Sequence, residues 1–308
     1  MSVFIIAEVG SNFHDFRDLK TSIEIAHRCG ADAVKFQCFS EASLYGYGSS
    51  RPRLAHAWLP KLADHCKAVG IEFMCTAFDV ETLSYVDKYV RRHKLASSEM
   101  RHTGLIEAIK RSKKPALVSV GGHSFDRIER TVKDLDKHDF TLLYCSNAYP
   151  SRLHDLEVID DLRSRFGCDV GFSDHSIDIY SATSAVRHYR AAVVEKHVDF
   201  INAGSADSGH SIDERMFSVL VAKLRQDHKH IHPALDEHEA VKLHNRRLVA
   251  TQNLNTGDAL QFGRNFGVYR CREKTGDYLD PSMADKVNGT RVAQPLRQGQ
   301  AIGASHFR

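Results

Sequence analysis

Short apolar runs recur along the first two thirds of the chain, each separated from the next by enough residues for a helix. They are Phe4-Ile5-Ile6-Ala7, Ala33-Val34-Lys35-Phe36, Ile71-Glu72-Phe73-Met74, and Tyr89-Val90 leading to Lys94-Leu95-Ala96. Ala116-Leu117-Val118, Phe140-Thr141-Leu142-Leu143, Val170-Gly171-Phe172 and Ala191-Ala192-Val193-Val194 follow in the same manner. Near-continuous apolar strands belong to parallel sheets covered on both faces. Eight of them alternating with helices predict a (β/α)8 TIM barrel, an α/β fold, with a doubly wound open sheet as the other architecture. Between the first two runs, Asp18 to His27 has helical apolar spacing and stops near Gly30. Similar helices are predicted to begin near Ala55, Glu81, Gly104, Asp126 and Ser181. The fourth strand is the least marked, because Arg91-Arg92-His93 is polar.

The pattern changes after Gln226. Asp227-His228-Lys229-His230-Ile231-His232-Pro233 opens a polar stretch that reads as a linker over 227–245, between a barrel at 1–226 and a small domain at 246–308. In that tail Leu254-Asn255-Thr256-Gly257-Asp258-Ala259-Leu260 is echoed by Leu296-Arg297-Gln298-Gly299-Gln300-Ala301-Ile302, which predicts a pseudo-symmetric β-rich domain. So small a domain has little core of its own and is expected to pack on the barrel or on another subunit.

Composition narrows the class. With 42% hydrophobic and 26% charged residues the chain has the make-up of an ordinary globular protein. A net charge of +3 with scattered Lys and Arg argues against a nucleic-acid partner. No apolar run approaches the roughly 20 residues that span a bilayer, and the first residues lack a basic segment, so no membrane role and a cytoplasmic location are expected. Seven cysteines without a CxxC pair suggest neither a disulfide framework nor a zinc site, and several follow apolar runs as buried thiols do.

A barrel of this kind carries its active site at the C-terminal ends of the strands. Polar residues stand at every one: Glu8 and Asn12, Lys35 and Gln37, Thr76, Lys94 with Ser97 and Glu99, Ser119, Ser146 with Asn147 and Tyr149, Ser173 with Asp174 and His175, and Glu195 with Lys196 and His197. One such residue is explained by helix capping, but eight strands together are not. Lysines, hydroxyls and an amide suit a phosphate or carboxylate. His175 and His197 fall at the ends of adjacent strands, whose backbones lie about 5 Å apart, so two imidazoles can share one divalent ion such as Mn²⁺ or Mg²⁺.

These strand-end motifs resemble the sialic acid synthase family. Ile5-Ile6-Ala7-Glu8-Val9-Gly10, Asp32-Ala33-Val34-Lys35-Phe36-Gln37, Lys94-Leu95-Ala96-Ser97-Ser98-Glu99, Cys145-Ser146-Asn147-Ala148-Tyr149-Pro150, Gly171-Phe172-Ser173-Asp174-His175-Ser176 and Glu195-Lys196-His197 stand in family order across the whole barrel. Arg247-Leu248-Val249-Ala250, Asn255-Thr256-Gly257-Asp258 and Val268-Tyr269-Arg270 resemble the family's C-terminal antifreeze-like (SAF) domain. The resemblance implies condensation of phosphoenolpyruvate with a sugar aldehyde to a 2-keto-3-deoxy acid of the nonulosonic type. It implies that Lys35, Thr76, Lys94, Ser97, Ser119, Asn147 and Ser173 hold phosphoenolpyruvate and that His175 and His197 hold the metal. Glu8, Gln37, Tyr149, Asp207 and Arg270 would face the sugar, Glu99 would activate water, and a domain-swapped homodimer would bring Arg270 to the partner's site.

The departures from the family gather on the sugar side. The Asn-His pair after the first strand reads Asn12-Phe13 here with His14 one place late, the loop after Gln37 is short, and of the Pro-Asp-His segment only Asp207 remains, followed by Ser208. Two rivals use the same barrel: a Schiff-base aldolase or lyase through Lys35 or Lys94, and a degenerate synthase that serves as a binding scaffold.

Overall fold

The computed structural model describes residues 3–50, 53–136, 138–151, 155–226, 246–270 and 278–307. The chain divides into two compact units, Met1–Asp227 and His228–Arg308. The segment 227–245, expected to be the linker, lies outside the described residues, as does Cys271.

The first unit is the eight-stranded barrel. Its strands are β1 (Phe4–Gly10), β2 (Ala33–Cys38), β3 (Glu72–Ala77), β4 (His93–Leu95), β5 (Ala116–Ser119), β6 (Phe140–Cys145), β7 (Val170–Asp174) and β8 (Val193–His197). They run parallel in the order β3-β2-β1-β8-β7-β6-β5-β4, and the two ends of that order, β3 and β4, lie against each other. Helices occupy the connections, beginning at Phe16, Leu59, Val80, Thr103, Phe125, Val158, Tyr180 and Glu214. The expected helix starts are met to within a few residues. Asp15, Asp79, Ser124 and Asp213 accept hydrogen bonds from free N–H groups of the first turn, which is why those helices start where they do. Among the described residues no helix is long and apolar enough to cross a membrane.

Period-two alternation along the strands builds the barrel interior in layers. Ile6, Ala33, Met74, Leu117, Leu143 and Val193 form an apolar plug. Two residues further along, the same inward face carries Glu8, Lys35, Thr76, Ser119, Cys145 and Glu195. The alternate residues, among them Ile5, Val34, Val118, Phe172 and Val194, pack outward under the helices in the main core. Gly171 belongs to the plug layer, and the absence of a side chain there is required: a Cβ would lie 2.6 Å from the carbonyl oxygen of Val193 and 2.7 Å from Leu143.

The fourth strand is shorter than expected. Tyr89 and Val90 lie in the turn and coil before it, and pairing with β5 starts at His93. The polar run is absorbed at the closed end of the barrel. The Arg92 guanidinium donates to both oxygens of Glu72 (2.8 and 3.2 Å) and lies 4.4 Å from the centre of the Phe4 ring. Buried His93 bonds Asp87 at 2.9 Å, and Lys114 reaches the same carboxylate at 3.0 Å. Charges at this end read as stability, not chemistry.

In the second unit β9 (Arg246–Ala250) pairs antiparallel with β10 (Phe266–Arg270). The two sequence echoes meet: Leu254 and Leu296 each donate an N–H to the other's carbonyl, at 2.8 and 2.9 Å. Gly257 and Gly299 occupy equivalent left-handed turns, with φ of 94° and 84°. Leu248, Leu254, Leu260, Phe266, Val287, Leu296 and Ile302 form a separate core. The backbone of Arg270 pairs with that of Arg246, and its side chain lies outside the described residues.

The plug layer generates one prediction. Gly171→Ala is expected to lower unfolding free energy by about 1–3 kcal/mol through overpacking against backbone, measured by urea denaturation; unchanged stability would show that the layer has slack.

Candidate active site

A cavity of about 610 Å³ opens where the strands end. Every barrel residue to which the resemblance gives a role lines it except Glu99. Glu99 closes a single 3-10 turn, Ser97–Glu99, that directs Ser97 and Ser98 to the cavity and leaves the carboxylate off its wall.

The floor is a network of buried charge. Lys35 Nζ lies 2.8 Å from Glu8 Oε2 and 3.5 Å from Glu195 Oε2, and it donates to Thr76 Oγ1 at 3.0 Å. Lys94 Nζ donates to Ser119 Oγ at 2.7 Å and stands 3.8 Å from Glu195 Oε1. Ser173 Oγ donates to that same oxygen at 2.8 Å, and Gln37 Nε2 donates to Glu8 Oε1 at 2.9 Å. Strand register dictates these meetings, because Glu8 stands opposite Lys35, Gln37 opposite Thr76 and Ser173 opposite Glu195. The two carboxyls are driven apart. Burial pushes Glu8 well above the ordinary carboxylate range, against the attraction of Lys35. For Glu195 burial is outweighed by Lys35, Lys94 and the Ser173 hydroxyl, and its pKa is held low. Burial also opposes charge on Lys35, but Glu195 and Glu8 more than offset it and its pKa is raised. Above the floor Ser97 Oγ donates to Asn147 Oδ1 at 3.4 Å, and Asn147 Nδ2 donates to the Gly121 carbonyl at 3.2 Å.

At the ends of β7 and β8 the rings of His175 and His197 stand 5.5 Å apart. His175 donates its Nδ1–H to the Ser146 carbonyl at 2.6 Å, which leaves Nε2 as the acceptor nitrogen, 3.5 Å from Ser173 Oγ. Burial holds His175 down at about 4 and His197 well below the ordinary imidazole range, so both rings are in the neutral form that ligates metal. The Nδ1 of His197 is buried without a hydrogen-bond partner. Among the described residues no set of three or more His, Cys, Asp or Glu side chains is gathered to hold a metal alone. Two neutral imidazoles therefore fit a divalent cation whose remaining positions belong to water and substrate oxygens.

Tyr149 stacks on His175, with ring centres 4.2 Å apart. Asp207 Oδ2 accepts the Ser11 N–H at 2.6 Å, and Oδ1 lies 3.8 Å from Nε2 of His210. His210 lines the cavity, its ring 4.5 Å from His197 and 4.9 Å from Tyr149. The drifted motifs fall into place around it. Asn12 is not at the cavity: buried, it donates to the Val198 carbonyl and Ser211 Oγ and accepts from the Ser205 hydroxyl. Ser208 Oγ lies 3.2 Å from Asn12 Oδ1 but donates its one hydrogen to Asp199 at 2.6 Å and so turns away from the cavity. Phe13 packs into the core under the Arg53 guanidinium, while His14 is exposed. Cys145 does reach the wall, but burial pushes its thiol up, which disfavours a nucleophilic thiolate.

Glu195 and His210 were given no role by sequence reasoning. A signal existed for Glu195, since it lies two residues before His197 on one strand and must share its inward face. None existed for His210, whose direction depends on how the loop is tied down.

A fold with its chemistry at the strand ends and paired lysines above an apolar plug defines a class of barrel enzymes, and comparison with known proteins narrows it. Residues 49–233 match the model of the NeuB family. A Methanocaldococcus jannaschii protein is 30% identical over 83% of this chain and 82% of its own length. Pseudaminic acid synthase of Campylobacter jejuni is 25% identical over 99% of this chain and 97% of its own. The crystal structure of N-acetylneuraminic acid (sialic acid) synthetase from Leptospira borgpetersenii superposes with a TM-score of 0.70 at 27% identity, covering 79% of this chain and 91% of that one. The chain belongs to the NeuB family of sialic acid synthases and is an enzyme.

The floor predicts a coupled titration. In Glu195→Gln, Lys35 loses one of its two carboxylate partners and Glu8 loses a like charge, so the Glu8 pKa is expected to fall toward the ordinary range. A ¹³C-carboxyl NMR titration reads this directly; an unmoved Glu8 would mean that the two groups do not share Lys35.

Proposed function

We propose that this enzyme condenses phosphoenolpyruvate with an amino-sugar aldehyde, in the presence of a divalent cation, to give a nonulosonic acid and phosphate. The observation that carries the reading is that one cavity holds both an anion floor of Lys35, Lys94, Thr76, Ser119 and Ser173 and, at the ends of β7 and β8, a pair of neutral imidazoles. Relatives named pseudaminic acid, N,N'-diacetyllegionaminic acid and N-acetylneuraminate-9-phosphate synthases support the substrate class.

In this reading Lys35 and Lys94 face the phosphate and carboxylate of phosphoenolpyruvate, with Ser97 and Asn147 at the rim. His175 and His197 would hold Mn²⁺ or Mg²⁺, which supplies Lewis-acid polarisation of the acceptor carbonyl. The methylene carbon of phosphoenolpyruvate forms the new bond to the aldehyde carbon, and the carbonyl pair moves onto oxygen. Glu8, whose pKa burial raises to about 7 and whose carboxyl Gln37 positions, donates the proton to that oxygen from its protonated form. Water adds to the cationic C2 and phosphate leaves with the electron pair of its C–O bond as the C2 carbonyl forms; of the two protons of that water, one goes to phosphate and the other restores the Glu8 acid. Glu99, off the cavity wall, is not needed for any step assigned here. Tyr149, Asp207 and His210 face the acceptor. The second unit is read as the antifreeze-like domain of a domain-swapped homodimer, where Arg270 would approach the acceptor of the partner subunit.

The test is phosphate release from phosphoenolpyruvate across a panel of amino-sugar aldehydes, with Mn²⁺ and with chelator. Release that needs both aldehyde and cation is expected. Lys35→Met and Lys94→Met are expected to lower kcat/KM for phosphoenolpyruvate by about 10–100-fold each, the value of a hydrogen bond to a charged group. A borohydride-trapped covalent adduct would favour the Schiff-base aldolase instead, and no release with any aldehyde would favour the scaffold.

The proton assignment has a pH signature. A group that must be protonated is lost as the pH rises through its pKa, so kcat/KM is expected to decline on the alkaline side of Glu8's elevated pKa. In Glu8→Gln that limb should disappear together with most of the activity; a limb that persists unchanged belongs to another group.

A further inference from the structure

We infer that Lys196 is a positioning residue that sets the spacing of His175 and His197, acting from behind the strands through a buried ion pair with Asp174. The inference rests on the metal-binding reading of those two histidines and names what holds them at one separation.

Alternation along β8 turns Glu195 and His197 into the cavity and Lys196 to the opposite face; on β7 it does the same for Asp174 between Ser173 and His175. Both members of the pair are fully buried. The Lys196 ammonium donates to Asp174 Oδ2 at 2.9 Å, to the Ser176 carbonyl at 2.6 Å and to Ser176 Oγ at 3.0 Å. Asp174 Oδ1 in turn accepts the Ser176 N–H at 2.9 Å. One ammonium thus grips the residue before His175 and the residue after it, and its own chain neighbour is His197.

The sheet does not do this work. The β7–β8 ladder ends with Asp174 opposite Lys196, so His175 lies one residue beyond the last pair. The bonds His175 makes for itself run to the β6 side, from Nδ1 to the Ser146 carbonyl and from the Ser151 N–H to its own carbonyl. The tie across to the strand of His197 is the Lys196 ammonium. A buried ion pair adds little stability over apolar side chains of similar volume, so what this pair supplies is geometry. Groups behind metal-ligating histidines commonly act in this way.

The experiment measures binding of Mn²⁺ alone, by electron paramagnetic resonance of the free ion, to the full chain and its variants, with thermal unfolding alongside. Lys196→Met is expected to weaken Mn²⁺ binding about 10–100-fold, the usual effect of removing such a group. Because that change leaves Asp174 buried and unpaired, Asp174→Leu with Lys196→Met is the second variant; it carries no buried charge and is expected to fold with a near-unchanged Tm and the same loss of affinity. A folded variant that binds Mn²⁺ within about twofold of the parent, well short of that loss, overturns the positioning role. His175→Ala and His197→Ala separate the two levels: if they bind Mn²⁺ as the parent does, or the parent binds none, the metal reading itself fails and the inference falls with it.

Discussion

Two ammonium groups inside a protein must be matched there, and the upper half of this barrel is arranged around that requirement. Taking Lys35 and Lys94 out of water costs several kcal/mol each unless carboxylates and hydroxyls meet them. Glu195 serves both lysines, Glu8 serves Lys35, and Thr76, Ser119 and Ser173 complete the hydrogen bonding. With fewer full negative charges than a second ionised Glu8 would give, the floor stays receptive to an anionic substrate. Burial keeps Glu8 inclined to hold its proton, against the pull of Lys35.

The two halves of the cavity are built by different means. The anion floor stands on strands whose register is locked by the ladder and by an apolar plug tight enough to demand glycine at position 171. The side of the cavity that carries Tyr149, Asp207 and His210 lies beyond the strands, and its shape is negotiated by side chains. Asn12 ties the loop carrying Ser205, Ser208 and Ser211 to the end of β1, Asp199 draws Ser208 outward, and Asp207 and His210 are left facing inward. Such a wall can change its acceptor without disturbing the floor. That is the physical sense of a chain whose strand-end motifs match its family closely and whose loop motifs have drifted.

The amino-acid sequence by itself determined the strands, their inward and outward faces and the identity of the floor residues, because a two-residue period leaves no freedom about which side chains share a face. It also marked the tail as pseudo-symmetric through its two echoes, while their pairing through Leu254 and Leu296 came from the fold. Only the tertiary structure decided the rest. The polar run at Arg92 and His93 looked unlike a strand until Glu72, Phe4 and Asp87 were seen to receive it. Glu99 read as a site residue, yet a single 3-10 turn carries it off the wall. His210 has no signature in sequence because its direction is set by hydrogen bonds from residues nearly two hundred positions away, and the grip of Lys196 on both sides of His175 exists only once β7 and β8 are neighbours. Local periodicity fixes which face a side chain takes; what it meets there is fixed by contacts that the chain makes only when folded.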